Sequence, residues 1–530
     1  MSTVSARPMI NPWIIAIAVV VPTFMEVLDT TIANVALRYI AGGLSAAVTD
    51  SEWVITSYLA ANAIILPMSG WLAAHIGRRR YFLGSIAIFT VASIFCGTST
   101  SLGELIFFRV IQGLAGGGLQ PSSQAILLDS FPAEKQGAAQ TFFGVAALLA
   151  PIVGPTLGGY LTDQYSWNWI FLINAPVGLL AFLFCYKVVH DPPYLVEQKA
   201  EIAKQPFRFD TIGLSLLSLT LVCWEVMLSK GQEWDWFNDP FYRVQILAAG
   251  FGLGLISLVL WENRVSNPIV NFKPLRDRNF AICCLVIFCA FGGLYGSSTL
   301  LPGMLEALFG YDAFHAGLVL SPAGLFTIMA IILVGVLLGK GFDARWLIAF
   351  GLVIVAVGNY WMSQMNLDIS PWQVVWPRVV MIAGLGFVFA PLNVAAYLYI
   401  PRSLRGAAVG LLALLRNEGG SVGTSLGQTV LERRDQVHAL RLNESLDPLN
   451  PAVTDFVMQT EPFFKQQLGD PVAAQQLAIQ TIEDIRQQQA SSLAYFDCFL
   501  IFAVVSSTLA LLVLFMKRSV VEKGTHVSAE

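Results

Sequence analysis

Apolar residues run along this chain in long blocks, separated by short segments that hold most of its charge. A helix needs about 20 mainly apolar residues to cross a hydrocarbon core. Read at that length, the pattern predicts about fourteen membrane-spanning helices. The first six cover Trp13–Ile40, Trp53–Ala73, Tyr81–Gly97, Leu102–Leu127, Ala138–Leu161 and Trp169–Val189. Ile212–Leu228 and Val244–Trp261 follow. The remaining six are Phe280–Leu301, Ala316–Leu338, Trp346–Met365, Val374–Ile400, Ala407–Val430 and Leu493–Met516. The first run leads directly into a long span, so it reads as a membrane helix and not as a cleavable signal.

Composition agrees with lipid as the solvent. Of 530 residues, 55% are hydrophobic and 12% charged, where a soluble domain carries about 25% charged residues. A net charge of −4 gives no reason to expect nucleic acid. Basic residues fix an orientation. With the amino terminus inside, about 20 Lys and Arg fall in inner segments, against about three (Arg38, Lys230 and Arg243) in short outer ones. The expected topology has both termini in the cytoplasm.

Two turns repeat a theme. Gly70 to Arg80 follows the second span with small residues, Gly77 and the run Arg78-Arg79-Arg80; Gly335 to Arg345 follows the tenth. The chain therefore reads as six helices, two inserted helices and six more, with parallel halves around a central cavity. The expected units are a six-helix half at 1–190, a cytoplasmic linker at 191–210, the inserted pair with its loop at 211–278, and five helices at 279–431. A periplasmic segment at 432–490, a last span at 491–518 and a tail at 519–530 complete the chain. Within 432–490, the apolar spacing of Val472, Leu477, Ile479, Ile482 and Ile485 predicts a helix over Pro471–Gln489. That segment fits a partner-docking element or a self-packed hairpin.

Charges inside spans are costly and face the protein interior or a wet cavity. Glu26 and Asp29 share one face of the first helix. Asp29 lies about 24 Å along from Trp13, and Arg109 about 10 Å from the outer start of the fourth helix, at 1.5 Å per residue. Both sit in the outer half, so they can pair. Two readings fit: a carboxylate that takes and releases a proton, or a static clamp between helices. Glu225 lies on an inserted helix. Arg416 and Glu418 sit near mid-depth of the thirteenth span and, two residues apart, point to different sides. Arg378 starts the twelfth near the outer surface, where an arginine snorkels to headgroups. Gly113 with Gly116 to Gly118, and Gly154, Pro155, Gly158 and Gly159, permit close helix packing. Pro151 and Pro155 free backbone carbonyls and suggest a bend.

Soluble-enzyme signals are absent. The chain has no phosphate-binding Gly-x-x-x-x-Gly-Lys-Ser/Thr loop. Its five histidines are scattered, and its cysteines lie in apolar runs as reduced, buried side chains. No metal or cofactor is expected.

Several motifs together resemble the major facilitator superfamily, in particular its fourteen-helix drug:proton antiporters and their EmrB-like permease group. They are Phe24 to Ala36 in the first helix, Gly70 to Arg80, Arg109-Val110-Ile111-Gln112-Gly113, Gly154-Pro155-Thr156-Leu157-Gly158-Gly159, and Trp167 to Pro176. The resemblance covers nearly the whole chain. It implies alternating access, proton antiport through Asp29 with Arg109 assisting, and the proton gradient as energy source. It also implies multidrug efflux across a bacterial inner membrane, with a periplasmic adaptor and an outer-membrane channel as partners. Ala74 stands where the loop motif usually carries an acid, and Glu26 and Glu225 where relatives often have glutamine. The alternative is a dedicated exporter of one metabolite, such as an organic acid or siderophore, received by Arg109, Arg378 or Arg416. A membrane-embedded enzyme or a non-transporting scaffold ranks below both.

Overall fold

The computed structural model describes residues 11–519, apart from 133–134, 193–194, 196–198, 200–209, 266–267, 312, 369, 402–403, 445 and 448–449. Both terminal tails and most of the expected linker at 191–210 therefore lie outside the described residues. In lipid each backbone N–H and C=O must be satisfied within the protein, which leaves helices as the economical solution. The described residues contain helices and no strand.

The first group comprises α1 (Pro12–Gly43), α2 (Trp53–Ile76), α3 (Arg78–Thr98), α4 (Leu102–Gly116), α5 (Leu119–Ser130), α6 (Gln136–Gln164) and α7 (Asn174–Val188). The inserted helices are α8 (Thr211–Lys230) and α9 (Arg243–Glu262). Next come α10 (Arg278–Phe309), α11 (Pro322–Gly339), α12 (Ala344–Ser363), α13 (Pro371–Tyr397) and α14 (Arg405–Asn443). The chain ends with α15 (Pro451–Leu468) and α16 (Pro471–Val513). Side chains close the first turns. Asn11 accepts from the Trp13 amide at 3.0 Å, and Asp277 from that of Phe280 at 3.0 Å. Ser370 and Gln373 form a reciprocal capping box on α13.

Twelve of these segments are long and apolar enough to cross a membrane. Two further long helices, α6 and α14, span 29 and 39 residues. Arg416 and Glu418, with several glycines, dilute the hydropathy of α14. The fourteen expected spans thus correspond to these twelve segments of the described residues together with α6 and α14.

The fourth expected span is broken between Gly116 and Leu119, so that α4 and α5 follow each other as one bent crossing. A Cβ on Gly117 would lie 2.6 Å from the Asn62 carbonyl oxygen, so the break sits where this crossing presses on α2. A similar interruption at Ile173 shortens the sixth span to α7.

Within the first group α1 packs on α6, α7 and α5, and α2 on α4; in the second, α10 packs on α14, and α12 on α13 and α16. The groups meet where α14 lies on α2, and where α11 and α13 lie on α6. Inserted helix α8 touches both, through α2 and α14. Thr56 and Ser229 share a hydroxyl hydrogen bond at 2.5 Å, while Ser425 donates to the Leu228 carbonyl at 2.6 Å.

The expected outer segment is helical through most of its length. Helix α14 continues past Val430 to Asn443, and α16 starts at Pro471, well before Leu493. Asp470 caps α16 by accepting from the Val472 amide at 2.9 Å. The two extensions bind each other: Arg486 donates to the Ala439 carbonyl at 2.8 Å and Ser491 to Asp435 at 2.7 Å. Large apolar side chains nevertheless stay exposed, among them Leu440, Met458, Phe463 and Val472.

Candidate functional site

The first charged cluster is built by α1, α4 and α7. Arg109 and Asp29 form an ion pair at 2.5 Å, their side chains 0% and 1% exposed. The other Asp29 oxygen accepts from Gln112 at 3.0 Å and from Asn174 at 2.7 Å. Arg109 also donates to the Val54 carbonyl at 3.1 Å and to Gln112 at 2.9 Å. Its guanidinium lies 4.1 Å from the centre of the Tyr58 ring, a cation–π contact. Each charge is thus held by a partner and by neutral dipoles.

A second cluster lies one turn along α1. Glu26 accepts from Asn62 at 3.1 Å, from the Tyr58 hydroxyl at 3.4 Å, and from Gln120. Tyr58 therefore touches both clusters, with its ring under Arg109 and its hydroxyl on Glu26. Asn417 of α14 donates to Asn62 at 3.0 Å, linking this cluster to the second group of helices. Arg416 approaches from the same side, buried among Glu26, Tyr295 and Tyr397, with Phe291 5.7 Å away.

Glu418 points the other way, to Glu225 and Trp224 of α8. Both carboxylates are buried, and Glu225 accepts from Ser421 at 3.1 Å. Arg416 and Glu418 thus serve different neighbourhoods, as their two-residue spacing requires. Glu225 is enclosed between α8 and α14 although its helix is an insertion.

Arg378 departs from the sequence expectation. It is 2% exposed and does not snorkel to the surface. Two hydroxyls on adjacent residues of α10 hold it instead, Ser297 at 2.9 Å and Ser298 at 2.7 Å. With both terminal nitrogens engaged on α10, the side chain turns inward.

The loop motif sits at the other end of the bundle. Gly77 ends α2 with φ +96°, a conformation that glycine tolerates. Arg78 pairs with Asp129 of α5. The Arg79 amide donates to Asp191 at 2.7 Å, and its guanidinium to the Tyr186 carbonyl at 2.7 Å. At Gly70 a Cβ would lie 2.8 Å from the Gly406 carbonyl carbon, so the end of α2 and the start of α14 touch backbone to backbone. A cavity of about 170 Å³ opens beside them, lined by Arg78, Asp129, Asn271 and Arg405 among others. A small void of about 10 Å³ is lined by Leu148, Ile287, Phe291 and Phe389 among others.

Gly113 packs on the Tyr58 carbonyl, Gly154 on Thr31 and Gly158 on Ile32, while Gly159 faces open space. The side chains of Pro151 and Pro155 lie outside the described residues.

Sequence reasoning missed the neutral partners. Gln112 lies one turn from Arg109, Asn174 begins α7, and Gln120 and Gln124 are one turn apart. Gln124 donates to Asn393 of α13 at 2.8 Å and to Gln140 at 3.1 Å, joining the two helix groups. Amides at helical spacing inside apolar runs were the available signal.

The Major Facilitator Superfamily model matches residues 20–424. The chain is 39% identical over 451 residues to the multidrug export protein EmrB of Haemophilus influenzae, covering 85% of this chain and 86% of that protein. It is 36% identical over 471 residues to EmrB of Escherichia coli K12, covering 88% and 90%. Among solved structures the proton:xylose symporter XylE superposes with a TM-score of 0.62 at 12% identity, covering 96% of this chain and 97% of that one; this likeness concerns the fold. The helices, the family match and these relatives point to a transporter rather than an enzyme. With a family match across most of its length and EmrB relatives spanning the same helices, the chain belongs to the Major Facilitator Superfamily.

Proposed function

We propose that this chain is a proton-driven exporter of amphipathic toxic compounds, working by alternating access with Asp29 as the proton carrier. The observation that carries the reading is the fully buried Asp29–Arg109 pair, its carboxylate also held by Gln112 and Asn174. When Asp29 takes a proton the ion pair is lost. Arg109 then keeps the Val54 carbonyl, Gln112 and the Tyr58 ring as partners but loses its counterion, and that cost favours return of the carboxylate once the proton can leave. Tyr58 passes the rearrangement to Glu26, and Asn62–Asn417 passes it to the second half. Glu26 and Arg416 face the centre as substrate or coupling contacts, with Glu225 and Glu418 as a further acidic pair.

The EmrB relatives are named for multidrug export, which supports efflux of several compounds over a single metabolite. The glycine contacts at Gly70, Gly113, Gly154 and Gly158 suit helices that slide while staying in touch. The boundary of about 20 inner against about three outer basic residues supports a bacterial inner-membrane protein with both termini in the cytoplasm. In that orientation the extensions of α14 and α16 with α15 project into the periplasm. Their exposed apolar side chains support docking of an adaptor that leads to an outer-membrane channel.

The test is substrate-driven proton movement in proteoliposomes. Asp29→Asn is expected to abolish it and to reduce proton-driven export to background, because an asparagine takes up no proton and leaves Arg109 without its counterion. Normal proton movement in that variant at every pH would sink the assignment. Replacing α15 by a short loop is expected to lower efflux from cells while transport in proteoliposomes persists; full cellular efflux would remove the docking idea.

A further inference from the structure

The two halves place an arginine at the same point of corresponding helices. Arg109 lies seven residues after Leu102, the start of α4, and meets α1 at Asp29, 17 residues after Pro12. Arg378 lies seven residues after Pro371, the start of α13, and meets α10 at Ser297, 19 residues after Arg278. Helices α4 and α1 belong to the fourth and first crossings of the first half, and α13 and α10 are those of the second. The arginine is repeated; the carboxylate is not.

Hydroxyls accept two of the guanidinium's hydrogen bonds and neutralise none of its charge. Arg378 makes no ion pair among the described residues, its Nε has no partner, and the side chain is 2% exposed. A cation buried without a counterion is costly, and intramembrane charges of this kind mark ligand paths. Ser298 is half-buried, so the group reaches accessible surface on that side. One turn away on each helix, Leu301 and Val374 belong to a shared apolar cluster.

We propose that Arg378, with Ser297 and Ser298, is an anion subsite that receives the carboxylate head of amphipathic substrates. This deepens the export reading above and rests on it. A guanidinium binds a carboxylate through two parallel hydrogen bonds. Ser297 now donates to the Leu294 carbonyl at 3.0 Å, and its hydroxyl can turn that hydrogen toward an arriving anion. The substrate thereby supplies the charge that Asp29 supplies to Arg109.

The test uses the full-length protein in proteoliposomes with decanoate and decyltrimethylammonium, which share a tail and differ in head charge. Arg378→Gln removes the charge and keeps a hydrogen-bond donor on a shorter side chain. It is expected to raise the KM for decanoate about tenfold or more, leaving decyltrimethylammonium export and its proton movement unchanged; Arg378→Lys gives an intermediate KM. An unchanged decanoate KM, or equal loss for both compounds in a protein that still elutes as a folded species, would overturn the subsite and leave Arg378 as a structural tie. Thermal shift supplies a second readout. Decanoate should stabilise the unaltered protein and not Arg378→Gln, whereas stabilisation by chloride with none by decanoate would overturn the substrate assignment. If decyltrimethylammonium moves no protons in the unaltered protein, the proton-export reading fails, and the decanoate thermal shift still decides the subsite.

Discussion

The two halves of this transporter solve one packing problem alike and one charge problem differently. In each, the first and fifth helices meet along glycines spaced one turn apart. Gly154 and Gly158 of α6 lie on Thr31 and Ile32 of α1; Gly419 and Gly423 of α14 lie on Phe288 and Gly292 of α10. Small residues let membrane helices approach closely, where dispersion and backbone contacts replace a hydrophobic driving force. The arginines diverge. Arg109 is neutralised inside its own half, while Arg378 has hydroxyls alone among the described residues. Shared packing with unequal charge gives the halves one mechanical frame, and the proposals above assign them separate duties: proton exchange in the first, recognition of an anionic head in the second.

The seams themselves are unequal, and this is where the largest effect is expected. A Cβ at Gly423 would overlap backbone atoms of Gly292, which cannot step aside. At Gly154 it would meet the Thr31 hydroxyl, which can turn, and Thr31 Cβ at 2.7 Å, a smaller fixed overlap than the backbone one at Gly423. Gly423→Ala is therefore expected to destabilise by about 3 kcal/mol and Gly154→Ala by about 1 kcal/mol, the two ends of the overpacking range. Thermal unfolding in detergent, followed by the yield of monodisperse protein, measures both. Equal losses would show that the halves pack with equal tolerance and would remove the first term of the contrast.

Much of the membrane architecture could be read from apolar run length, because lipid forces each crossing to be a helix of sufficient length. The pairing of Asp29 with Arg109 was legible for a related reason: the rise of a helix converts position into depth. Run length does not reveal where a helix ends once it leaves lipid. Helix α14 continues to Asn443 and α16 begins at Pro471, and the signal there was a cap, Asp470 before a proline, rather than hydropathy. Arg378 was misjudged because its nearness to a helix end suggested headgroups, while the hydroxyls that hold it lie about 80 residues away, on α10. Gln112, Asn174 and Asn62 went unread because an amide costs less to bury than a charge and leaves no mark on a hydropathy pattern. What escaped was side-chain company across helices, which depends on rotation and crossing angle.

A smaller effect comes from making the second half resemble the first. Ser298→Asp would set a carboxylate beside Arg378, whose Nη2 now reaches the serine hydroxyl at 2.7 Å. The arginine would then carry a fixed counterion, as Arg109 does, and an incoming carboxylate would have to displace it. Export of decanoate is expected to fall about tenfold, equivalent to about 1.4 kcal/mol, while decyltrimethylammonium export holds or rises slightly. Ser298→Asn, with similar volume and no charge, separates crowding from neutralisation. If the asparagine variant lowers decanoate export as far as the aspartate, space around Arg378 matters and its charge does not. If the aspartate variant alone does so, the missing carboxylate is what distinguishes the second half from the first.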